Sequence, residues 1–328
     1  MVEREFSAHI LCVGPVPGPT EAFDRAVEAV VRDVRSLHDS GKHLDGLFVL
    51  GTRGELPGGG YQAARDLVDT LMLECMDHAP EAVPVVLAAP GLGDRRMGGA
   101  GRRTLVRRAL TDMWEGYAGD FWRGDLDEEV AQPLRTDVFG GFERWQSRIR
   151  QPGSWVHTGV LVGDAASSID LESQHIGLVT VNTVFRMVAE DAPVTLAGCY
   201  DEQLNRAVGT DFSAWAEDKA LVVLLAGHTC ILPDVSDIST PVLALAGEGE
   251  AGGGWQVMSR APGQVHRTLR VDFRDQGLEV ADVEAGRPVP LLSRGSSASV
   301  NLFHPVLEGE MGWPAGVVTR QGPSSLAW

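Results

Sequence analysis

The feature that most constrains this chain is the alternation, through its first third, of short apolar runs with longer amphipathic ones. Ile10 to Val13 is apolar and stops in the turn-forming series Gly14-Pro15-Val16-Pro17-Gly18-Pro19. Thr20 is placed to cap a helix, and Phe23, Val27, Val30, Val31, Val34 and Leu37 then recur at helical spacing until Gly41. Leu47 to Leu50 is a second buried strand, followed by a loop from Gly51 to Gly60. Tyr61, Ala64, Leu67, Val68 and Leu71 mark a second amphipathic helix, and Val83 to Ala88 a third strand that ends at Pro90-Gly91. Strand–helix–strand units of this length imply right-handed crossovers and a largely parallel arrangement of the strands.

Residues 98–150 break that pattern. They are charged and helical, and they carry Trp114, Tyr117, Phe121, Trp122, Phe139, Phe142 and Trp145, which predicts an inserted cap whose aromatics form core rather than a ligand cage. From Trp155 the chain becomes strand-rich, with apolar runs at Ile176 to Thr183, Val194 to Ala197, Leu221 to Leu225 and Pro241 to Ala246, and one helix over residues 202–219. Val257 to Arg260, Thr268 to Phe273 and Leu278 to Val283 read as a closing antiparallel meander. The organisation expected is a domain over residues 1–285 and a Pro-, Gly- and Ser-rich extension over 286–328.

Charge and composition narrow the partners. With a net charge of −17, the surface repels phosphate backbones and anionic lipid, so neither nucleic acid nor membrane is expected as a partner. Arg95, Arg96, Arg102, Arg103, Arg107 and Arg108 are the local exception, readable either as a solvated basic helix face or as a site for an acidic partner. No run approaches the roughly 18 apolar residues of a membrane span, and the start Met-Val-Glu-Arg-Glu-Phe lacks the basic and apolar regions of a signal peptide, so a cytoplasmic protein is expected. Cys12, Cys75, Cys199 and Cys230 form no CxxC pair and read as small buried hydrophobes.

Ligand sites of open α/β sheets lie beyond the carboxyl ends of the strands, and the strand-end loops here carry a resemblance. Phe23-Asp24-Arg25-Ala26 running into a long helix, Leu47-Phe48-Val49-Leu50-Gly51, Tyr61-Gln62-Ala63-Ala64-Arg65, Val179-Thr180-Val181-Asn182-Thr183, and Asp201-Glu202-Gln203-Leu204 followed by Leu221 to Leu225 occur in this order. Together they resemble bacterial calcineurin-like metallophosphoesterases over residues 8–285. The resemblance implies an α/β fold, the four-layer α/β/β/α sandwich of that family, with the helical insertion and an extended C-terminal tail. It also implies two divalent metals that clamp a phosphate and activate a bridging water.

The family's ligand motifs, D-x-H, G-D, G-N-H-D, a histidine preceding another, and G-H-x-H, are not preserved. Gly14-Pro15-Val16 stands for the first, Gly51-Thr52 for the second and Gly91-Leu92-Gly93-Asp94 for the third. Gly227-His228 occupies the fourth and Gly247-Glu248-Gly249-Glu250 the last, where both histidines are glutamates. The other histidines, among them His9, His38, His43, His78, His157, His175, His266 and His304, fall away from these positions. The resemblance therefore implies a vestigial pocket of Gly14, Val16, Thr52, Leu92, Gly93, Asp94, Gly227, His228, Glu248 and Glu250, with no metal, no cofactor and no catalysis.

Two alternative readings stay open, residual catalysis and nucleotide binding without hydrolysis. Asp94, Glu248 and Glu250, with Glu55, could converge on a single Mg²⁺, Mn²⁺ or Ca²⁺ ion for residual phosphoesterase activity. Pro57-Gly58-Gly59-Gly60 before a helix could hold an anion, although it has neither a P-loop nor a G-x-G-x-x-G spacing. A serine hydrolase is set aside, because there is no G-x-S-x-G and Ser167-Ser168 reads as a polar loop. The function expected is that of an inactive phosphoesterase-like protein serving as a binding, scaffold or regulatory subunit in a bacterial assembly. Its contact elements would be the insertion, the arginines and the tail.

Overall fold

The strands explain why the sequence reads as continuous apolar runs. β1 (Phe6–Val13), β2 (Gly46–Leu50) and β3 (Val85–Ala89) pair in parallel, and their side chains alternate between two cores. Leu11, Val13, Leu47, Val49, Val86 and Ala88 face helices, whereas Ile10, Cys12, Phe48, Leu50, Leu87 and Ala89 face a second sheet. A strand buried on both faces has no polar side to show. α1 (Glu21–Asp39) and α2 (Gly60–His78) cover the outer face through Phe23, Val30, Val34, Leu67, Leu71 and Cys75. Thr20 caps α1 as its sequence predicts, its hydroxyl accepting the Phe23 N–H at 3.1 Å.

The structure is a computed structural model. It describes residues 6–16, 19–52, 60–96, 102–125, 128–149, 157–171, 174–189, 192–235, 237–249, 255–257, 266–274, 277–283 and 286–292. The chain divides into a unit of Met1–Ala298, to which all of these belong, and a unit of Ser299–Trp328 outside the described residues. The architecture is mixed α/β with two six-stranded mixed sheets. β10 (His266–Arg274), β11 (Gly277–Asp282) and β12 (Arg287–Pro288) extend the first sheet antiparallel from β1. The second sheet runs in order through β4 (His157–Thr158), β5 (Ala165–Leu171), β6 (Gln174–Val181), β7 (Leu221–His228), β8 (Val242–Glu248) and β9 (Trp255–Val257), parallel from β6 onward.

The second sheet repeats the logic of the first. Ile176, Leu178, Leu221, Val223, Leu225, Leu243 and Leu245 enter the core shared with the first sheet. Val179, Val181, Val222, Leu224, Ala244 and Ala246 turn outward to α7 (Asp201–Val208) and α8 (Phe212–Ala216). The insertion supplies α3 (Arg102–Leu110), α4 (Trp114–Arg123), α5 (Glu128–Pro133), a π-helical turn Leu134–Val138 and α6 (Gly140–Ile149). α6 joins the α1–α2 layer through Phe142, Trp145 and Ile149, while the other insertion helices build a core of their own with Val184, Phe185 and Met187. Among the described residues no helix is long and apolar enough to cross a membrane.

Several elements differ from the sequence reading, each for a physical reason. The helix expected over 202–219 is two, because Gly209 takes a left-handed φ of 77° and ends α7. Val194–Leu196 is a 3-10 turn after Pro193, not a strand. Ser167 and Ser168 lie in β5, paired with Leu178 and Gly177, not in a loop. The meander is divided between the sheets, since β9 lies parallel to β8 whereas β10 pairs with β1 and β11 with β10. The packed chain also continues past residue 285: Val289 is buried in the inter-sheet core, and Leu292 exchanges backbone hydrogen bonds with Val242 at 2.8 and 2.9 Å.

Candidate functional site

The strand-end residues singled out by sequence come together where β1, β2, β3, β7 and β8 finish. Val16 bridges Thr52 in parallel fashion and its N–H donates to the Gly51 carbonyl at 3.1 Å. Gly51 donates in turn to the Ala89 carbonyl at 2.8 Å, and His228 sits beside Glu248 in the β7–β8 register. A Cβ on Gly247 would stand 1.9 Å from the Leu50 carbonyl oxygen, and one on Gly227 would stand 2.3 Å from the Pro90 oxygen and 2.4 Å from the Gly91 nitrogen. Gly51, at φ +84°, lies against Gly91 and Gly227, and a Cβ on Gly14 would stand 2.3 Å from the Leu50 oxygen. At these glycines main chain thus approaches main chain closely, as only a residue without a Cβ allows.

Asp94 closes one side of this seam. It is buried in the 3-10 turn Leu92–Asp94 that follows β3. Its Oδ2 accepts the N–H groups of Thr52 and Gly91, each at 2.8 Å, and its Oδ1 accepts the Thr52 hydroxyl in a short contact. Burial raises its pKa from 3.8 to about 7, opposed by the hydrogen bonds from Thr52 and Gly91. Glu248 holds the same turn from the second sheet: its Oε1 accepts the Leu92 N–H at 2.9 Å, and its carbonyl accepts the Thr229 N–H at 2.9 Å. Asp94 and Glu248, two of the carboxylates expected to form an acidic remnant, are therefore acceptors for backbone amides.

The remaining residues at this end make similar commitments. Leu92 is half-buried and Gly93 exposed on the turn. His228 is buried, its Nδ1 lying 2.6 Å from the Thr229 carbonyl oxygen, a contact that needs the Nδ1–H tautomer, and its own carbonyl accepts the Thr183 hydroxyl at 2.7 Å. Arg95 donates from Nε to the Leu92 carbonyl at 3.0 Å and from Nη1 to the Met187 carbonyl. Burial holds its guanidinium below the ordinary range, with Glu248 opposing. Glu250, Glu55 and Pro57 to Gly59 lie outside the described residues. Among the described residues, no group of three or more His, Cys, Asp or Glu is placed to hold a metal ion.

Two further structures escaped the sequence reading. The first is a buried polar network under the turn 159–164. Asp164 Oδ1 accepts the Asn182 N–H at 2.7 Å and the Gln203 amide at 2.9 Å, while Asn182 donates to the Val162 carbonyl at 3.0 Å and Thr180 to the Gly163 carbonyl at 2.7 Å. Burial raises the Asp164 pKa to about 8, and Asp164 Oδ2 and Gln203 Oε1 are both buried without a hydrogen-bond partner. Asn182, a residue that carried the family resemblance, thus works here as a brace for a turn. The second is a clamp: Arg186 donates to the Leu110 carbonyl at 2.9 Å and to Tyr200 Oη at 2.8 Å, and stacks 4.8 Å from the Trp114 ring centroid. Arg186 carried no motif that could have flagged it.

The insertion's aromatics are turned inward. Trp114, Phe121, Trp122, Phe185 and Tyr200 contact one another with ring centroids 4.8 to 6.0 Å apart. Trp114, Phe121 and Trp122 are thus core residues, as the sequence reading expects of the insertion's aromatics. Of the arginines, Arg95 is engaged as above, Arg107 and Arg108 are exposed on α3, and the side chains of Arg102 and Arg103 lie outside the described residues. Exposed large apolar side chains instead include Leu105, Met113, Val194 at 63% and Ile231 at 81%, the last paired through its backbone with Gly198.

No protein-family model matches the chain, and no curated protein does. Among solved structures, a likeness is found to GAP50, the anchor in the inner membrane complex of Plasmodium, at 10% identity and a TM-score of 0.42, covering 88% of each chain.

Proposed function

We propose that this chain is a catalytically inactive, calcineurin-like phosphoesterase-type protein that acts by binding a protein partner. The observation that carries the reading is the strand-end seam. At two positions where the resembling family presents metal ligands, Gly14 and Gly227, a side chain would meet the backbone of Leu50 or of Pro90 and Gly91, and Asp94 and Glu248 accept backbone amides of Thr52 and of the turn after β3. A metal pair needs several side-chain donors converging on one space, and these two positions offer none. The finer fold assignment, the four-layer α/β/β/α sandwich, is part of the same proposal. It is supported by α1, α2 and α6 on the outer face of one sheet and α7 and α8 on that of the other.

The partner is taken to be protein because the net charge of −17 disfavours polyanions and because Val194 and Ile231 expose apolar side chains. The test has two arms. Elemental analysis of protein purified with added Mn²⁺ and Zn²⁺ should find far less than one metal per chain, with no p-nitrophenyl phosphate hydrolysis above background. Near-stoichiometric metal with hydrolysis that is lost in Glu248→Ala would overturn the inactive reading. For the binding role, affinity capture from the native host should return a stable partner that Ile231→Glu releases, and the absence of any such partner would overturn it.

A further inference from the structure

Away from the seam, α1 and α2 each finish with a histidine. His38 lies in the last turn of α1 and His78 ends α2, and their imidazoles stack with centroids 4.2 Å apart and planes 5° from parallel. His38 is buried, at 4% exposure, whereas His78 is exposed. Both ring nitrogens of His38 are buried without a hydrogen-bond partner in the protein. A neutral imidazole carries one donor and one acceptor, and an imidazolium carries two donors and a charge. The stacked arrangement therefore suits the neutral ring. A proton added there would leave two buried N–H groups without acceptors, which is the costlier state.

The helix ends pull the other way. A helix C-terminus favours a cation, so each ring gains from a proton once it reaches solvent beside the terminal carbonyls. Two rings face to face cannot both take one without repulsion. Burial holds the His38 pKa below its ordinary 6.5, and His78 on α2 and His43 on the loop after α1 push the same way; Glu74 on α2 and Asp39 on α1 oppose them. Glu74 is itself engaged by Arg35 at 2.8 Å, an ion pair one turn back on both helices whose arginine is exposed. His38 also anchors the chain that follows it. Its carbonyl accepts the Gly41 N–H at 2.8 Å, and the loop leads on to Asp45, which accepts the His9 N–H of β1 at 2.7 Å.

We infer that the stacked His38–His78 pair is an acid-sensitive latch between the C-terminal ends of α1 and α2, closed while both imidazoles are neutral and opened when His38 takes a proton and turns out to solvent. The closed form binds fewer protons than the open one, so closure holds above about pH 6.5 and is lost as pH falls below it. Hydrogen exchange of the full chain, read by mass spectrometry at about pH 7.5 and about pH 5 and corrected for the intrinsic rate, tests it. Peptides over residues 32–44 and 71–82 should lose protection about five-fold or more at the lower pH, relative to peptides of β6 and β7. In His38→Phe, which keeps a flat ring on His78 and takes no proton, that extra loss should vanish. His78→Gln changes only an exposed position and removes the second charge. NMR titration of the imidazoles should place the His38 midpoint below about 6.5 in the unaltered chain and raise it in His78→Gln. Helix ends as protected at the lower pH as at the higher, relative to β6 and β7, overturn the latch. So does a folded His38→Phe that keeps the extra loss, or a His38 midpoint that is not depressed or does not move in His78→Gln. The last two outcomes decide the matter even where His38→Phe does not fold.

Discussion

Replacing Asp164 by Asn should remove most of the alkaline instability of this protein, and the size of the effect follows from the network around that residue. Burial raises the Asp164 pKa from 3.8 to about 8, so the folded chain keeps a proton there that the unfolded chain gives up. The folded state then binds more protons than the unfolded one between those values, and stability must fall as pH rises through that window, levelling off above about pH 8. The whole window corresponds to on the order of 5 kcal/mol, at about 1.4 kcal/mol per pH unit. Its upper part, from pH 6.5 to 9, accounts for about 2 kcal/mol.

That upper part is the place to look, because His9 runs the other way below it. Burial lowers the His9 pKa from 6.5 to about 4, so its contribution is lost as pH falls from 6.5 toward 4, which offsets the carboxyls in that range. Asp94, raised to about 7, adds under about 1 kcal/mol between pH 6.5 and 9. Asn keeps the oxygen that accepts from Asn182 and Gln203, and its amide carries hydrogens where the protonated Oδ2 would, without the charge. Urea unfolding followed by circular dichroism at pH 6.5, 7.5, 8.5 and 9 should show Asp164→Asn within about 1 kcal/mol of the unaltered chain at pH 6.5 and about 2 kcal/mol more stable relative to it at pH 9. If the variant loses several kcal/mol already at pH 6.5, or declines with pH as steeply as the parent, the neutral-carboxyl reasoning is wrong.

Three other perturbations follow from the same structure. Gly227→Ala places a methyl 2.3 to 2.4 Å from Pro90 and Gly91 backbone and should cost about 3 kcal/mol or more, whereas Gly116→Ala on α4, which meets nothing within 4 Å, should be neutral or stabilise by up to about 1 kcal/mol; thermal melts of the two separate close approach from mere loss of glycine. Thr20→Ala removes the cap on Phe23 and should cost about 1 kcal/mol in urea unfolding, with no change at the strand ends. Arg186→Leu leaves the Leu110 carbonyl and Tyr200 hydroxyl without their donor, and hydrogen exchange should quicken in α3 and α4 before it does in β6 or β7.

Sequence periodicity located what depends on local chemistry. The βαβ units, the Thr20 cap and the buried β7 and β8 all follow from spacing that both faces of a sheet or one face of a helix impose. β5 was hidden because Ala165, Ala166, Ser167 and Ser168 are too small and too polar to alternate visibly, and only its pairing with β6 makes them a strand. The division of the last strands between two sheets is a tertiary choice that no local signal encodes. At the site, the resemblance marked Gly14, Val16, Thr52, Leu92, Gly93, Gly227, Glu248 and Glu250 as departures from the family's ligands. That Gly14, Gly227 and Gly247 let backbones approach closely was not legible, because a distance between strand ends has no signature in either strand alone. Asp164 looked like one more acid in an acidic chain, and its burial depends on Gln203 from a helix 39 positions later.

The glycine seam also sets which substitutions this protein can accept. A side chain at Gly14, Gly227 or Gly247 would run into neighbouring backbone of Leu50, Pro90 or Gly91. A donor introduced singly at one of these positions would cost stability before it could hold any ion, and only several simultaneous changes that part the strand ends would make room for one.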